Sequence, residues 1–299
     1  MSFSSNVKAE LCRQSITRRM EALAEAYGVL LYCNTFTGSA VRVVTESRDF
    51  AERLPKLFRK AFGVGFDATP DPDEPGKLLL AIEQKDKLEK LLTALDMRAD
   101  GEVALHVNFG LLEEEPEQLA FFRGAFLAGG SVTDPAKRYH LELATPHLKV
   151  SAEASVLLRE IGFSAKETSR AGNSILYFKQ SDTIEDFLTA IGAQVSAMGV
   201  MEAKVEKDLR NGVNRRVNCE TANLSKAVDA SFEQLAAIRK LEEAGVLETL
   251  AQKLQETARL RRENPEATLS ELAEMPDPPV SKSAVNHRMR KLMELSKTL

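Results

Sequence analysis

The stretch SKSAVNHRMRKLMELSKTL, Ser281 to Leu299, carries side chains whose types and spacing suit hydrogen bonding to a nucleic-acid duplex. On a helix advancing about 100° per residue, Val285, Met289 and Leu292 fall on one stripe. Ser283, Asn286, His287, Arg290 and Lys291 fall on the opposite arc. Arginine pairs with guanine and asparagine with adenine, while serine or lysine reaches phosphates or bases. Ser281, Lys282 and Arg288 complete the candidate contact set. The stretch holds five Lys/Arg against one acid, Glu294, in a chain whose net charge is −4. A solvated face on an ordinary helical bundle would have the same composition, and the residues alone leave both readings open.

Other chemistry finds less support. His106, His140, His147 and His287 are dispersed, and no cysteine or carboxylate completes a metal set around the nearest two. No G-x-S-x-G, Walker or Rossmann pattern occurs. Cys12, Cys33 and Cys219 are odd in number and share no metal-ligand spacing, which favours free thiols in a reducing compartment. No charged n-region leads into an apolar segment, and no apolar run approaches the roughly 18 residues of a membrane span. Neither a cofactor, a metal nor a membrane partner is expected, and a cytoplasmic location is.

The elements that would position the C-terminal arc are helical. SFEQ (Ser231–Gln234) has the pattern of a capping box, opening a helix that Gly245 closes. A second helix is expected over 246–262. Thr268 and Glu271 form another capping box and start a short helix. MPDPPV (Met275–Val280) breaks it, and Ser281 begins the last one. A short helix, a break and a longer basic helix make a helix-turn-helix over 268–297.

The first two thirds repeat with an offset of about 96 residues, and a repeat sets the architecture. EALAEAYGVLLY (Glu21–Tyr32) sits over EQLAFFRGAFLA (Glu117–Ala128), with Gly28 over Gly124. AVRVVT, FGVGF, KLLLAI and LLTAL each find counterparts further on, in order. Each unit reads helix, strand, helix, strand, strand, helix, with turn signals at PDPDEPG (Pro70–Gly76) and SRAGN (Ser169–Asn173). A helix interior disfavours glycine by about 1 kcal/mol relative to alanine, so Gly124 needs a reason. Paired copies supply one: the glycine-bearing helices meet at a pseudo-two-fold axis, where Gly124 and Ala128 permit close approach. Packing on a nearby strand is the plainer alternative. Gly129-Gly130 is expected to end the helix in the left-handed conformation.

A duplicated half with a close helix pair resembles the LAGLIDADG homing-endonuclease scaffold. SFSSNVKAEL (Ser2–Leu11), RGAFLAGGSVTDPAKRYHLE, NRRVNCETANLSKAVDAS (Asn214–Ser231) and the C-terminal helices together are similar to the WhiA family of bacterial sporulation and cell-division regulators, across essentially the whole chain. The fold implied is α+β, two LAGLIDADG-like halves followed by an all-α helix-turn-helix domain. The expected organisation is 1–110 and 111–205 for the halves, 206–230 for a connector and 231–299 for the DNA-binding domain. The resemblance also implies a transcriptional regulator on double-stranded DNA, nucleoid-associated, with another transcription or cell-division protein as a second partner. In the nucleases each scaffold helix ends in an acid that helps hold a divalent metal. Alignment on the glycines puts Cys33 and Gly129 at those positions, neither of which offers a carboxylate to Mg²⁺. No catalysis is therefore expected; an active metal-dependent endonuclease and a protein-binding scaffold or sensor are the alternatives. Arg215, Arg216, Asn218, Thr221 and Asn223 either face DNA or an adjoining domain, or cap and tether helices between modules.

Overall fold

A computed structural model of the chain describes residues 2–71, 76–97 and 105–299. Pro72–Pro75, the middle of the expected PDPDEPG turn, lies outside the described residues. The chain divides into two compact units after Asp208.

The first unit is built on two helices with no exposed side along most of their lengths. In α2 (Arg19–Tyr32) every residue from Ala22 to Tyr32 is buried, and in α5 (Glu115–Gly129) the stretch from Ala120 to Leu127 is buried except at Arg123. A helix apolar all round belongs in an interior, and these two pack against each other. A Cβ on Gly124 would collide with the Glu25 carbonyl oxygen, and one on Gly28 with that of Phe121. The glycines let backbone meet backbone, as the repeat predicts.

Around the pair, each half adds a sheet and two helices. The first half contains β1 (Thr35–Phe36), β2 (Val41–Thr45), α3 (Arg48–Phe62), β3 (Leu78–Ile82) and α4 (Lys85–Ala94). The second contains β4 (Gly130–Val132), β5 (Leu141–Thr145), α6 (Leu148–Glu160), β6 (Lys166–Arg170), β7 (Asn173–Phe178) and α7 (Ser181–Ile191). Both sheets are antiparallel, in the orders β1-β2-β3 and β4-β5-β7-β6. Along β2, Val41 and Val43 are buried and Arg42 and Val44 exposed, the period-2 pattern of a sheet with one covered face.

The expected order needs correction in two places. Each half has a short strand directly after its first helix, and the first half lacks a counterpart of β6 among its described residues, where an isolated bridge joins Ala68 and Ala81. Gly130 ends α5 in an extended conformation (φ −91°, ψ 152°), not a left-handed one. Space explains the pair instead. A Cβ on Gly129 would meet the Ala144 carbonyl and Tyr32, and one on Gly130 would meet Phe126.

Buried charge ties the halves together. Glu25 and Arg53 are 2% and 4% exposed. Arg53 grips both carboxylate oxygens of Glu25 at 2.6 and 2.8 Å and donates to the carbonyls of Cys12 and Gln14. Arg123 reaches the same carboxylate from α5. The N-terminal helix α1 (Phe3–Cys12) contributes Glu10, whose carboxylate accepts from the backbone of Val195 and Ser196 at 2.7 and 2.9 Å, in the first turn of α8. A carboxylate at a helix N-terminus satisfies orphan N–H groups and suits the dipole.

Helix α8 runs unbroken from Gln194 to Glu243, 50 residues, and continues into the second unit. This overturns the reading of SFEQ as a helix start. Ser231 is mid-helix, and its hydroxyl donates to the Pro265 carbonyl at 2.5 Å. No glycine or proline lies between Gly212 and Gly245 to interrupt it, and Gly245 (φ +67°) does end it. A 3₁₀ turn at Leu247–Thr249 follows, then α9 (Gln252–Glu263), so the second expected helix begins later than residue 246. The unit closes with α10 (Leu269–Glu274) and α11 (Lys282–Ser296) around a core of Ile238, Leu241, Leu254, Ala258, Leu272, Val285, Met289 and Leu292.

Candidate nucleic-acid interface

Each of the last two helices starts on a built cap. The Thr268 hydroxyl accepts from Glu271 N–H at 3.3 Å, while the Glu271 carboxylate accepts from Thr268 N–H at 2.7 Å. That backbone hydrogen bond holds the exposed Glu271 carboxyl below its ordinary range. Ser281 accepts from Ala284 N–H at 3.2 Å and begins α11. Between them, Val280 N–H donates to the Ala273 carbonyl at 2.9 Å, so the proline-rich break returns to the end of α10.

Burial sorts the faces of α11 as its spacing predicts. Val285, Met289 and Leu292 are 2%, 1% and 0% exposed. Ser283, Asn286, His287, Arg290 and Lys291 are exposed, as are Ser281 and Lys282 at the N-terminus. Arg288 stands apart. It is partly buried and directs its guanidinium to the Thr257 hydroxyl at 3.4 Å, joining α11 to α9. The exposed set leaves arginine, lysine and asparagine donors together on one side of a rigid helix, the arrangement needed for simultaneous phosphate and base-edge contacts.

The Arg215–Asn223 residues are distributed differently. All five are exposed, in the middle of α8. Mid-helix, they cap no terminus. At about 100° per residue they spread around the helix; Arg216 and Asn223, seven apart, share a side. Asn223 also lies 3.7 Å from the Cys219 sulfur.

In the first unit, Cys33 caps the end of α2 and Gly129 is the last residue of α5. The Cys33 thiol donates toward the carbonyls of Leu30 and Thr35, each at 3.2 Å, and burial pushes it up to about 12. Among the described residues, no group of three or more His, Cys, Asp or Glu is placed to hold a metal ion. His140 pairs with Glu142 at 3.2 Å and its ring lies tilted against that of Tyr177, while Asp134 accepts from Ala136 N–H in a turn. No helix among the described residues is long and apolar enough to cross a membrane.

Residue-type reasoning missed Arg261. It is 2% exposed and donates through Nη1 to the carbonyls of Asn264, Pro265 and Ala267, the last at 2.6 Å, closing the loop that leads to α10. The signal was its register: with Leu254, Thr257 and Ala258 it lies on the buried stripe of α9.

Comparison with known proteins gives matches across the chain. The family model for the WhiA C-terminal HTH domain matches residues 213–296, and that for the WhiA LAGLIDADG-like domain matches 118–210. A "probable cell division protein WhiA" of Clostridium perfringens is 35% identical over 311 residues, spanning 100% of this chain and 98% of the relative. Its counterpart in Alkaliphilus metalliredigens is 37% identical over 313 residues, spanning 99% and 98%. Among solved structures, full-length WhiA from Thermotoga maritima shares the fold, with a TM-score of 0.61 at 22% identity, covering 100% of this chain and 99% of that one.

Proposed function

Because this chain belongs to the WhiA family, we propose that it is a DNA-binding transcriptional regulator acting in cell division, sporulation or chromosome segregation. The helix-turn-helix α10–α11 reads double-stranded DNA, with α11 in the major groove. The observation that carries this is the clean division of α11, buried along Val285–Met289–Leu292 and exposed along Ser283, Asn286, His287, Arg290 and Lys291. In this reading Arg290 and Asn286 meet base edges, while Ser281, Lys282 and Lys291 meet phosphates. Arg288 orients the helix from behind. Arg216 and Asn223 offer a further contact from α8. Such a protein works on the nucleoid, in the cytoplasm, and a transcription or cell-division protein is its second class of partner.

The LAGLIDADG-like unit serves this role as a non-catalytic scaffold. A nuclease needs carboxylates where the paired helices end, and those positions hold a buried, protonated thiol and a glycine. Incubation with plasmid DNA, with and without Mg²⁺, separates the two roles. The expected result is a mobility shift in both and nicking in neither. Nicking that appears with Mg²⁺ and vanishes with chelator would return the scaffold to the nucleases.

A further inference from the structure

Within the C-terminal unit a cleft of about 670 Å³ opens between α8, the loop before α10 and the start of α11, a volume typical of small-molecule sites. Leu224, Val228 and Phe232 lie one turn apart along its α8 wall, and Leu269 lies opposite on α10. Phe232 is 69% exposed and Leu224 66%, a large apolar surface left in water.

Two polar residues lining the cleft are more than nine-tenths buried and lack partners at one atom each. Gln234, 6% exposed, has an unpaired Oε1, and Arg261, 2% exposed, has an unpaired Nε. The hydrogen bonds of Arg261 all leave from Nη1, and among the described residues no carboxylate pairs with it. A guanidinium withdrawn from water calls for an anion, and the Nε–Nη2 edge matches the two oxygens of a carboxylate. Burial accordingly pulls Arg261 below its ordinary value.

We propose that this cleft binds a small organic acid, with its carboxylate on the Nε–Nη2 edge of Arg261, a hydroxyl or amide N–H donating to Gln234 Oε1, and its apolar body against Leu224, Val228 and Phe232. A terminal carboxylate beside an apolar body is what a small acid offers, whereas a helix face brings mainly apolar side chains. Leu269 and Lys282 line the same cleft and are the first residues of α10 and α11. Occupancy therefore bears on the arrangement of the helix pair and on DNA affinity. That consequence rests on the DNA-binding reading; binding of the acid does not, and it is measured without DNA.

The test is calorimetric titration of the full chain with N-octanoylglycine, which carries the carboxylate, the amide N–H and an apolar tail. Its neutral counterpart, N-octanoylglycinamide, is titrated beside it. The acid should bind once per chain, about tenfold or more tightly than the amide, and Arg261→Gln should remove that preference. Gln234→Leu should weaken both ligands. Val228→Asp, at a position 44% exposed and so tolerant of charge, should abolish binding while leaving the thermal melt unchanged. This variant decides the matter if Arg261→Gln does not fold. Equal affinity for acid and amide, no saturable binding of the acid, or undiminished binding in Val228→Asp would overturn the proposal. So would a concentration-dependent dimer in sedimentation that Phe232→Asp dissolves, since a second copy would then be the occupant.

Discussion

Arg288 and Arg290 are two residues apart and meet different surroundings, because two residues on a helix turn the side chain through about 200°. Arg290 points to solvent from the arc opposite Leu292, while Arg288 bonds the Thr257 hydroxyl. Periodicity made that division legible for the stripe and the arc, but not for Arg288, whose partner comes from another helix. Cys33 shows the same limit. Its position at the end of α2 was readable from the repeat; its burial and its two carbonyl partners were not. A thiol reacts as thiolate, and burial among apolar groups suppresses that form. Maleimide labelling of the native protein at neutral pH should therefore modify the exposed Cys219 quickly and leave Cys33 untouched until the chain is unfolded. Rapid labelling of Cys33 in the folded protein would contradict its placement.

Among the elements, the pair α2–α5 was the most legible, since glycines at equivalent points of two copies have few explanations other than close approach. Gly124→Leu should destabilise the first unit by at least about 1–3 kcal/mol through overpacking, because the added side chain meets Glu25 backbone. An unchanged melting temperature would mean that the helices do not touch there. Helix α8 was the least legible. Ser231 and Gln234 have the spacing of a cap, and local pattern gave no sign that the serine hydroxyl would find the Pro265 carbonyl, 34 residues away. The cap on α10 was read correctly and has a pH signature. Glu271 titrates lower when folded than its ordinary 4.5, because Thr268 N–H bonds the carboxylate. A depressed carboxyl stabilises the fold above its unfolded value, and that contribution disappears as pH falls through the folded one. Glu271→Gln should thus flatten the loss of C-terminal thermal stability between about pH 5 and pH 3. A pH dependence identical to wild type would show that the cap contributes nothing.

At the scale of the molecule, a chain with net charge −4 is predicted to engage a polyanion, and the resolution lies in where the charge sits. The last nineteen residues carry five Lys/Arg and one acid, and α11 presents most of them outward. Neutralising phosphates releases counterions, so affinity should fall as salt rises, with a slope set by the number of contacts. The most direct test is fluorescence anisotropy of the full chain and its Arg290→Ala, Lys291→Ala double variant. The duplexes are one selected by the wild-type protein from a random pool and a scrambled control, each at several salt concentrations. If Arg290 pairs with a base, its loss should cost about 1–3 kcal/mol on the selected duplex and relax preference at one position. If Lys291 meets a phosphate, its loss should weaken binding to both duplexes and reduce the salt slope by about one. Wild-type affinity and an unchanged slope in a folded double variant would contradict the account, and the DNA-reading surface would lie elsewhere than on α11.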